Sequence, residues 1–147
     1  MSRVDAAPQD VAAGVPRPVL DDTVQMALSQ GGLVDVTTTG GRSGQPRRIE
    51  LVFHAIDGRV IISGLPVAGR KRAWLANLEA DPRMTLHLKG RAVRADLPAT
   101  ARVVTDPMER RRLLERVARA WRRSDVDAMV AHGPLIEVVV RGHTPGA

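Results

Sequence analysis

Cysteine is absent from the 147 residues. Its absence excludes disulfides, thiolate catalysis and Cys-based zinc sites, and it makes a reducing, cytoplasmic compartment the natural expectation. Tyrosine is absent as well, and Phe53, Trp74 and Trp121 are the whole aromatic set. A stacking platform for single-stranded nucleic acid needs several such rings. The formal net charge of +6 and pI near 11.3 therefore do not by themselves indicate nucleic acid. Twenty of the 22 basic residues are arginine, since lysine occurs only at Lys71 and Lys89. The same positive balance suits a site for phosphates or other anionic groups. No apolar run approaches the roughly 20 residues of a membrane-spanning helix. No compact apolar stretch follows a basic start, so a signal peptide is not expected.

What is present reads as a small domain of alternating strands with a few helices. Residues 1–18 are rich in Ala, Pro, Asp and Gly without periodicity and read as a mobile arm. The domain is expected over 19–142, with a tail at 143–147. Asp21 or Asp22 caps a short helix to Ser29, and Gly31-Gly32 stops it. The period then changes to two. Leu33–Thr39, Arg47–Ile56 and Arg59–Gly64 read as three strands of an antiparallel meander, with Asp57-Gly58 as a hairpin turn. Ile49, Leu51 and Phe53 share one face of the second strand. A helix is expected over Arg70–Ala80, ended by Asp81-Pro82. Met84–Lys89 alternates as a strand. Arg91–Asp96 and Thr100–Thr105 are expected as sheet interrupted at Leu97-Pro98. Asp106-Pro107 starts a helix to about Arg123, a short helix runs to His132, and Leu135–Val140 is an apolar, central strand.

That order is not the alternating βαβ pattern of a doubly wound sheet. Neither a GxGxxG after a strand nor a GxxxxGK[ST] occurs. The fold class expected is mainly β with flanking helices, a split antiparallel β-barrel.

Two runs carry chemistry. The first is Thr37-Thr38-Thr39-Gly40-Gly41-Arg42-Ser43-Gly44-Gln45-Pro46-Arg47-Arg48. Successive N–H groups in a glycine turn can form an anion-binding nest. Ser43 adds a hydroxyl, and Arg42, Arg47 and Arg48 add charge-assisted donors. A plain hairpin with solvated arginines accounts for the same residues. The second run is Arg70-Lys71-Arg72-Ala73-Trp74-Leu75-Ala76-Asn77-Leu78. Three cations in the first helical turn oppose the macrodipole. A bound anion relieves that conflict; a solvated, frayed helix start is the alternative.

These two runs, with Arg59-Val60-Ile61-Ile62-Ser63-Gly64 between them and the pattern W-x-x-N-L-x-x-x-P-R over Trp74–Arg83, resemble the deazaflavin-dependent nitroreductase family. That family is also described as F420-dependent quinone reductases. The resemblance covers about residues 33–140 and is best over 33–90. It implies a split barrel holding reduced coenzyme F420, with FMN as the alternative cofactor. It implies hydride transfer to a small-molecule electron acceptor: a quinone, nitroaromatic or activated alkene. A carrier of a flavin, haem or lipid on the same barrel is the other reading. By position, Thr38, Thr39, Arg42, Ser43, Gly44, Arg47 and Arg48 would line the phosphate and ring end of the site. Arg70 and Lys71 would meet the anionic tail, and Trp74 and Asn77 would brace the helix. Split barrels often pair as homodimers, so a second copy is an expected partner.

Of the four histidines, no two have a metal-ligand spacing, and no metal is expected. His54, beside Phe53, reads either as a proton donor near a cofactor or as an ordinary strand residue. Arg112, Arg116, Arg119 and Arg123 form a cationic stripe opposite Leu113, Val117 and Trp121. It is read as a solvated face or as a contact for an anionic partner or membrane surface.

Overall fold

The computed structural model describes residues 20–69 and 71–144. The elements are α1 (Asp22–Leu28), β1 (Gly32–Thr39), β2 (Pro46–Ile56), β3 (Arg59–Ser63), α2 (Ala73–Ala80), β4 (Arg83–Lys89), β5 (Arg94–Val103), α3 (Pro107–Trp121), α4 (Val126–His132) and β6 (Leu135–Val140). The six strands close into one antiparallel barrel in the order β1-β2-β3-β6-β5-β4. The seam is the pairing of β1 with β4, from Val34↔Leu88 to Thr37↔Thr85. The barrel is thus closed within one chain. The apolar β6 lies between β3 and β5, the central position its composition implied. The mobile-arm expectation for 1–18 falls outside the described residues. Among the described residues, no helix is long and apolar enough to cross a membrane.

Local chemistry explains most boundaries. The Asp21 side chain accepts from Val24 N at 2.9 Å and caps α1, and Asp106 does the same for Glu109 N in α3. Asp57 and Gly58 both take positive φ, 53° and 74°, as a type I′ hairpin turn requires. Gly31, at φ +76°, sits so close to β2 that a Cβ there would lie 3.0 Å from Phe53 O.

Two boundaries differ from the sequence expectation. The helix expected from Arg70 begins at Ala73, with Arg72 as an extended N-cap lacking a side-chain cap bond. Cations at the positive end of a dipole offer no stabilisation, so winding starts after them. The break expected at Leu97-Pro98 does not occur, and β5 runs through it. Within a strand, one residue's N and O point to the same neighbour. Pro98 O accepts from Arg141 N at 3.1 Å, beyond the β5–β6 ladder that begins at Ala99↔Val140. The missing N–H therefore falls where no ladder bond is due.

Inward residues of all six strands form the main core, including Val34, Val36, Phe53, Ile62, Leu86 and Val138. Val24 and Leu28 of α1 join it near the Gly32 end of β1, and Trp74 and Leu78 of α2 near the Thr38 end. A second core lies outside the barrel, where Leu113, Leu114 and Val117 of α3 and Met129 of α4 cover Ile56, Ile61 and Leu135. Buried Glu137 of β6 ties this layer down. It accepts from Arg59 Nη1 at 2.7 Å and from Arg102 at 3.0 and 2.8 Å, and Arg102 also reaches Glu109 of α3. The α3 arginine stripe is largely paired: Arg112 and Arg116 reach Asp57 at 3.2 and 3.3 Å, and Arg123 reaches Asp125.

The histidines occupy separate environments. His87 bridges Thr37 Oγ1 and Asp96 Oδ1, each at 2.7 Å, on the outer sheet face. His143, read as tail, donates to Gly58 O at 3.0 Å. His54 lies on the α3 side of β2, edge-on to Trp121 with centroids 5.2 Å apart, and its buried Nε2 has no partner among the described residues.

Two outcomes follow from these contacts. Glu137→Ala leaves the half-exposed Arg59 guanidinium without its carboxylate and Arg102 with Glu109 alone, and should cost about 1–2 kcal/mol in urea unfolding. Burial lowers the His54 pKa below its ordinary 6.5, so the unfolded chain takes up the proton first as pH falls. The folded state loses stability on acidification through that range. Thermal melts between about pH 7.5 and 5.5 should show a smaller loss for His54→Phe than for wild type.

Candidate functional site

The period-two alternation of β2 places Arg47, Ile49, Leu51 and Phe53 on the barrel-facing side. Phe53 is buried in the core, Leu51 packs at its edge, and Ile49 is 40% exposed. The strand overruns the core at this end, so its inner face becomes the floor of an open groove under α2. Two clefts of about 590 and 610 Å³ form this groove and meet at Ile49, Ala73 and Trp74.

The first cleft is walled by the glycine turn and by α2. Asn77 joins the two walls. Its Nδ2 donates to Thr38 Oγ1 at 3.1 Å, and its Oδ1 accepts from Gly41 N at 3.1 Å. Gly40 N donates to Gln45 O at 2.7 Å and Gly44 N to Gly40 O at 2.8 Å. Gln45 N donates to Ser43 Oγ at 3.1 Å. These amides are spent inside the turn, which corrects the idea of a nest built from them. Gly40 is required by space: a Cβ would fall 2.9 Å from Ser43 Oγ and 3.1 Å from Gln45 O.

The charge therefore comes from side chains. Arg42, Arg47 and Arg48 line the first cleft, Lys71 and Arg72 line the second, and among the described residues no carboxylate lines either. Arg48 Nε donates to Asp35 Oδ2 at 3.0 Å on the outer face. Lys89, then Arg48, hold the Asp35 carboxyl below its usual range. Glu50 also faces outward, paired with Lys89. Lys71 Nζ pairs with Glu79 at 2.7 Å. Arg42, Arg47 and Arg72 have no ion pair among the described residues.

Of the residues proposed from sequence, the structure brings Thr38, Arg42, Ser43, Arg47 and Arg48 together around the first cleft, and Lys71 lines the second. Thr38 is buried, with its hydroxyl held by Asn77. Thr39 and Gly44 do not line either cleft, and Gly44 serves the turn with φ +69°. Arg70 lies outside the described residues. Trp74 is buried at 5% exposure and braces α2 as expected. His54 is not in the groove.

Residues 20–143 match the family described as F420H(2)-dependent quinone reductase. The chain belongs to this family. Solved structures share its fold at low identity. A conserved hypothetical protein of Mycobacterium tuberculosis is 19% identical, with 85% of this chain and 82% of that chain covered and a TM-score of 0.66. A structure described as an F420 reductase is 14% identical, covering 88% and 98%, with a TM-score of 0.61. One described as an F420-H2 dependent reductase is 22% identical, covering 84% and 99%, with a TM-score of 0.52. Membership in the F420H(2)-dependent quinone reductase family implies F420 as the cofactor and gives no support to FMN. The groove fits that group: Arg42 and Arg47, without an ion pair among the described residues, offer anion contacts at one end, and Ile49, Leu51 and Trp74 offer an apolar bed.

Sequence reasoning missed Arg72, Ile49, Leu51, Ser63, Gly64 and Val67, all of which line the second cleft. The shared face of Ile49, Leu51 and Phe53 was visible as alternation. That the face outruns the core was not, because it depends on where α2 ends the barrel. Arg72 sat in the recognised cation run, but only the helix start decides which cation turns inward.

Asn77→Ala removes two hydrogen bonds and leaves the buried Thr38 hydroxyl without its donor. A cost of about 1–2 kcal/mol is expected, together with faster amide exchange at Gly41 and Gly44. Unchanged exchange at those glycines would show that the turn stands without the asparagine.

Proposed function

We propose that this protein is an F420H2-dependent reductase delivering hydride to a quinone, nitroaromatic or activated alkene. The observation that carries the reading is an arginine-lined groove with an apolar floor, free of carboxylates among the described residues, in a chain matched over residues 20–143 to the F420H(2)-dependent quinone reductase family. Reduced F420, when bound, supplies the hydride. The protein's residues supply position and field. Arg42 and Arg47, unpaired and opposite α2, hold the phosphate end. Ile49, Leu51 and Trp74 would support the planar ring and exclude water from one face of it. The Asn77 bridge fixes the distance between the two walls, so binding costs little rearrangement. Ser63 Oγ donates to Pro134 O at 2.7 Å and keeps β3 against the loop before β6 at the far end of the groove.

Arg48 is assigned a smaller share, because its guanidinium already serves Asp35. In a fluorescence titration with F420, the double variant Arg42→Ala/Arg47→Ala should bind about 10- to 100-fold more weakly, as expected for two lost charge-assisted contacts. Arg48→Ala should bind nearly as wild type. Thermal stability should change little in either. Equal affinity in the double variant would remove the anion site from this turn. A carrier would bind the cofactor in the same titration but fail to reoxidise it with any quinone offered.

A further inference from the structure

The groove continues past Arg72. A third cleft of about 330 Å³ opens between Val67, Gly69, Lys71 and Arg72 on one side and the junction of α4 with β6 on the other. It shares Val67, Lys71 and Arg72 with the Trp74 cleft. Arg72 stands at the join: a Cβ on Gly64 would lie 3.4 Å from Arg72 Nη2 and 3.1 Å from Pro134 Cγ. The opposite wall ends in His132, the last residue of α4, which lines the cleft.

That wall is rigid. Arg110 of α3 donates to Val130 O at 2.8 Å, Met129 O at 3.3 Å and Gly133 O at 2.7 Å, satisfying carbonyls that end α4. Gly133 admits no side chain, since a Cβ would lie 2.7 Å from Met129 O. His132 is thus presented from a fixed backbone. The apolar contacts in the cleft are Val67, Leu75 and Pro134, and among the described residues no carboxylate lines it. Lys71 is balanced by Glu79, which among the described residues leaves Arg72 without an ion pair and His132 as a second donor.

With the phosphate end held at Arg42 and Arg47 and the ring over Ile49 and Trp74, this third cleft lies beyond the ring end. We propose that it receives the electron acceptor and selects small conjugated acceptors carrying a carboxylate or similar anionic group, with Arg72 and His132 reading that charge. The proposal rests on the cofactor reading above. The cleft sits at the small end of ligand pockets, room for one small fused or single ring system against Val67 and Leu75 but not for an enclosed long chain. One ring-borne anion beside Arg72 and His132 gains charge-assisted hydrogen bonds that a neutral acceptor cannot make.

The test uses naphthoquinone sulfonate and unsubstituted naphthoquinone as the anionic and neutral probes. The ratio of their kcat/KM values in wild type is compared with the ratio in His132→Ala, which cancels intrinsic reactivity. The ratio should fall about fivefold in His132→Ala and fall in wild type at about 0.5 M salt. F420 affinity should be unchanged in that variant. Independently of turnover, an NMR titration of the unreduced, F420-loaded protein with naphthoquinone sulfonate should shift the ring resonances that His132→Ala deletes. An unchanged ratio, silent His132 resonances, or weakened F420 binding in His132→Ala would each overturn the proposal. The last would give the cleft to the cofactor. If wild type does not bind F420 at all, the functional reading itself fails.

Discussion

Everything at the site depends on the closure of the barrel along β1. This strand pairs with β2 on one side and β4 on the other, and a shift of one residue would turn its faces over. In the observed register Val34, Val36 and Thr38 point inward. Thr38 then lies at the rim, where the apolar core gives way to α2. Its buried hydroxyl needs a partner, and Asn77 supplies it while its other end holds Gly41. One strand register therefore sets the width of the groove.

The groove exists because β2 is longer than the core requires. Its eleven residues cross from exposed turn to buried interior without changing face. The same alternation that buries Phe53 leaves Ile49 as an open floor. Charge is sorted by the pleat. Arg47 and Ile49 face the groove, Arg48 stands at its rim with Nε turned to Asp35, and Glu50 faces outward to Lys89. The carboxylates of this region are thereby kept out of the groove, and the field within it stays positive. On the other side of the barrel, Glu137 and Arg110 anchor α3 and α4, and that anchoring makes the far wall of the groove rigid.

The protein's share of the chemistry is visible along the groove. Unpaired guanidinium groups lie at one end, an apolar bed in the middle, and a basic, rigid-walled cleft beyond. Each is built from residues held by bonds that would exist without a ligand, so the site is preorganised.

Much of this was legible in the sequence. Period-two alternation, the Asp57-Gly58 turn, the Asp21 and Asp106 caps and the apolar final strand gave the split barrel. The threonine-glycine run and the Trp74–Arg83 pattern marked the family and one wall of the site. These are local features, governed by backbone preference and side-chain period, and sequence carries them directly. What sequence left open was pairing at a distance. Asp35 takes Arg48, Glu79 takes Lys71, and Asp57 takes two arginines of α3, so which cations remain available is decided only by folding. The glycine amides looked available and are consumed within their own turn. Pro98 looked like a break and is absorbed at the end of a ladder. Arg72 and His132, 60 positions apart by number, share one cleft because β6 returns between β3 and β5. The chain's own order determined the barrel and the place of the groove. The tertiary structure alone decided which charges face into it, because each ion pair depends on strands that meet only when the barrel closes.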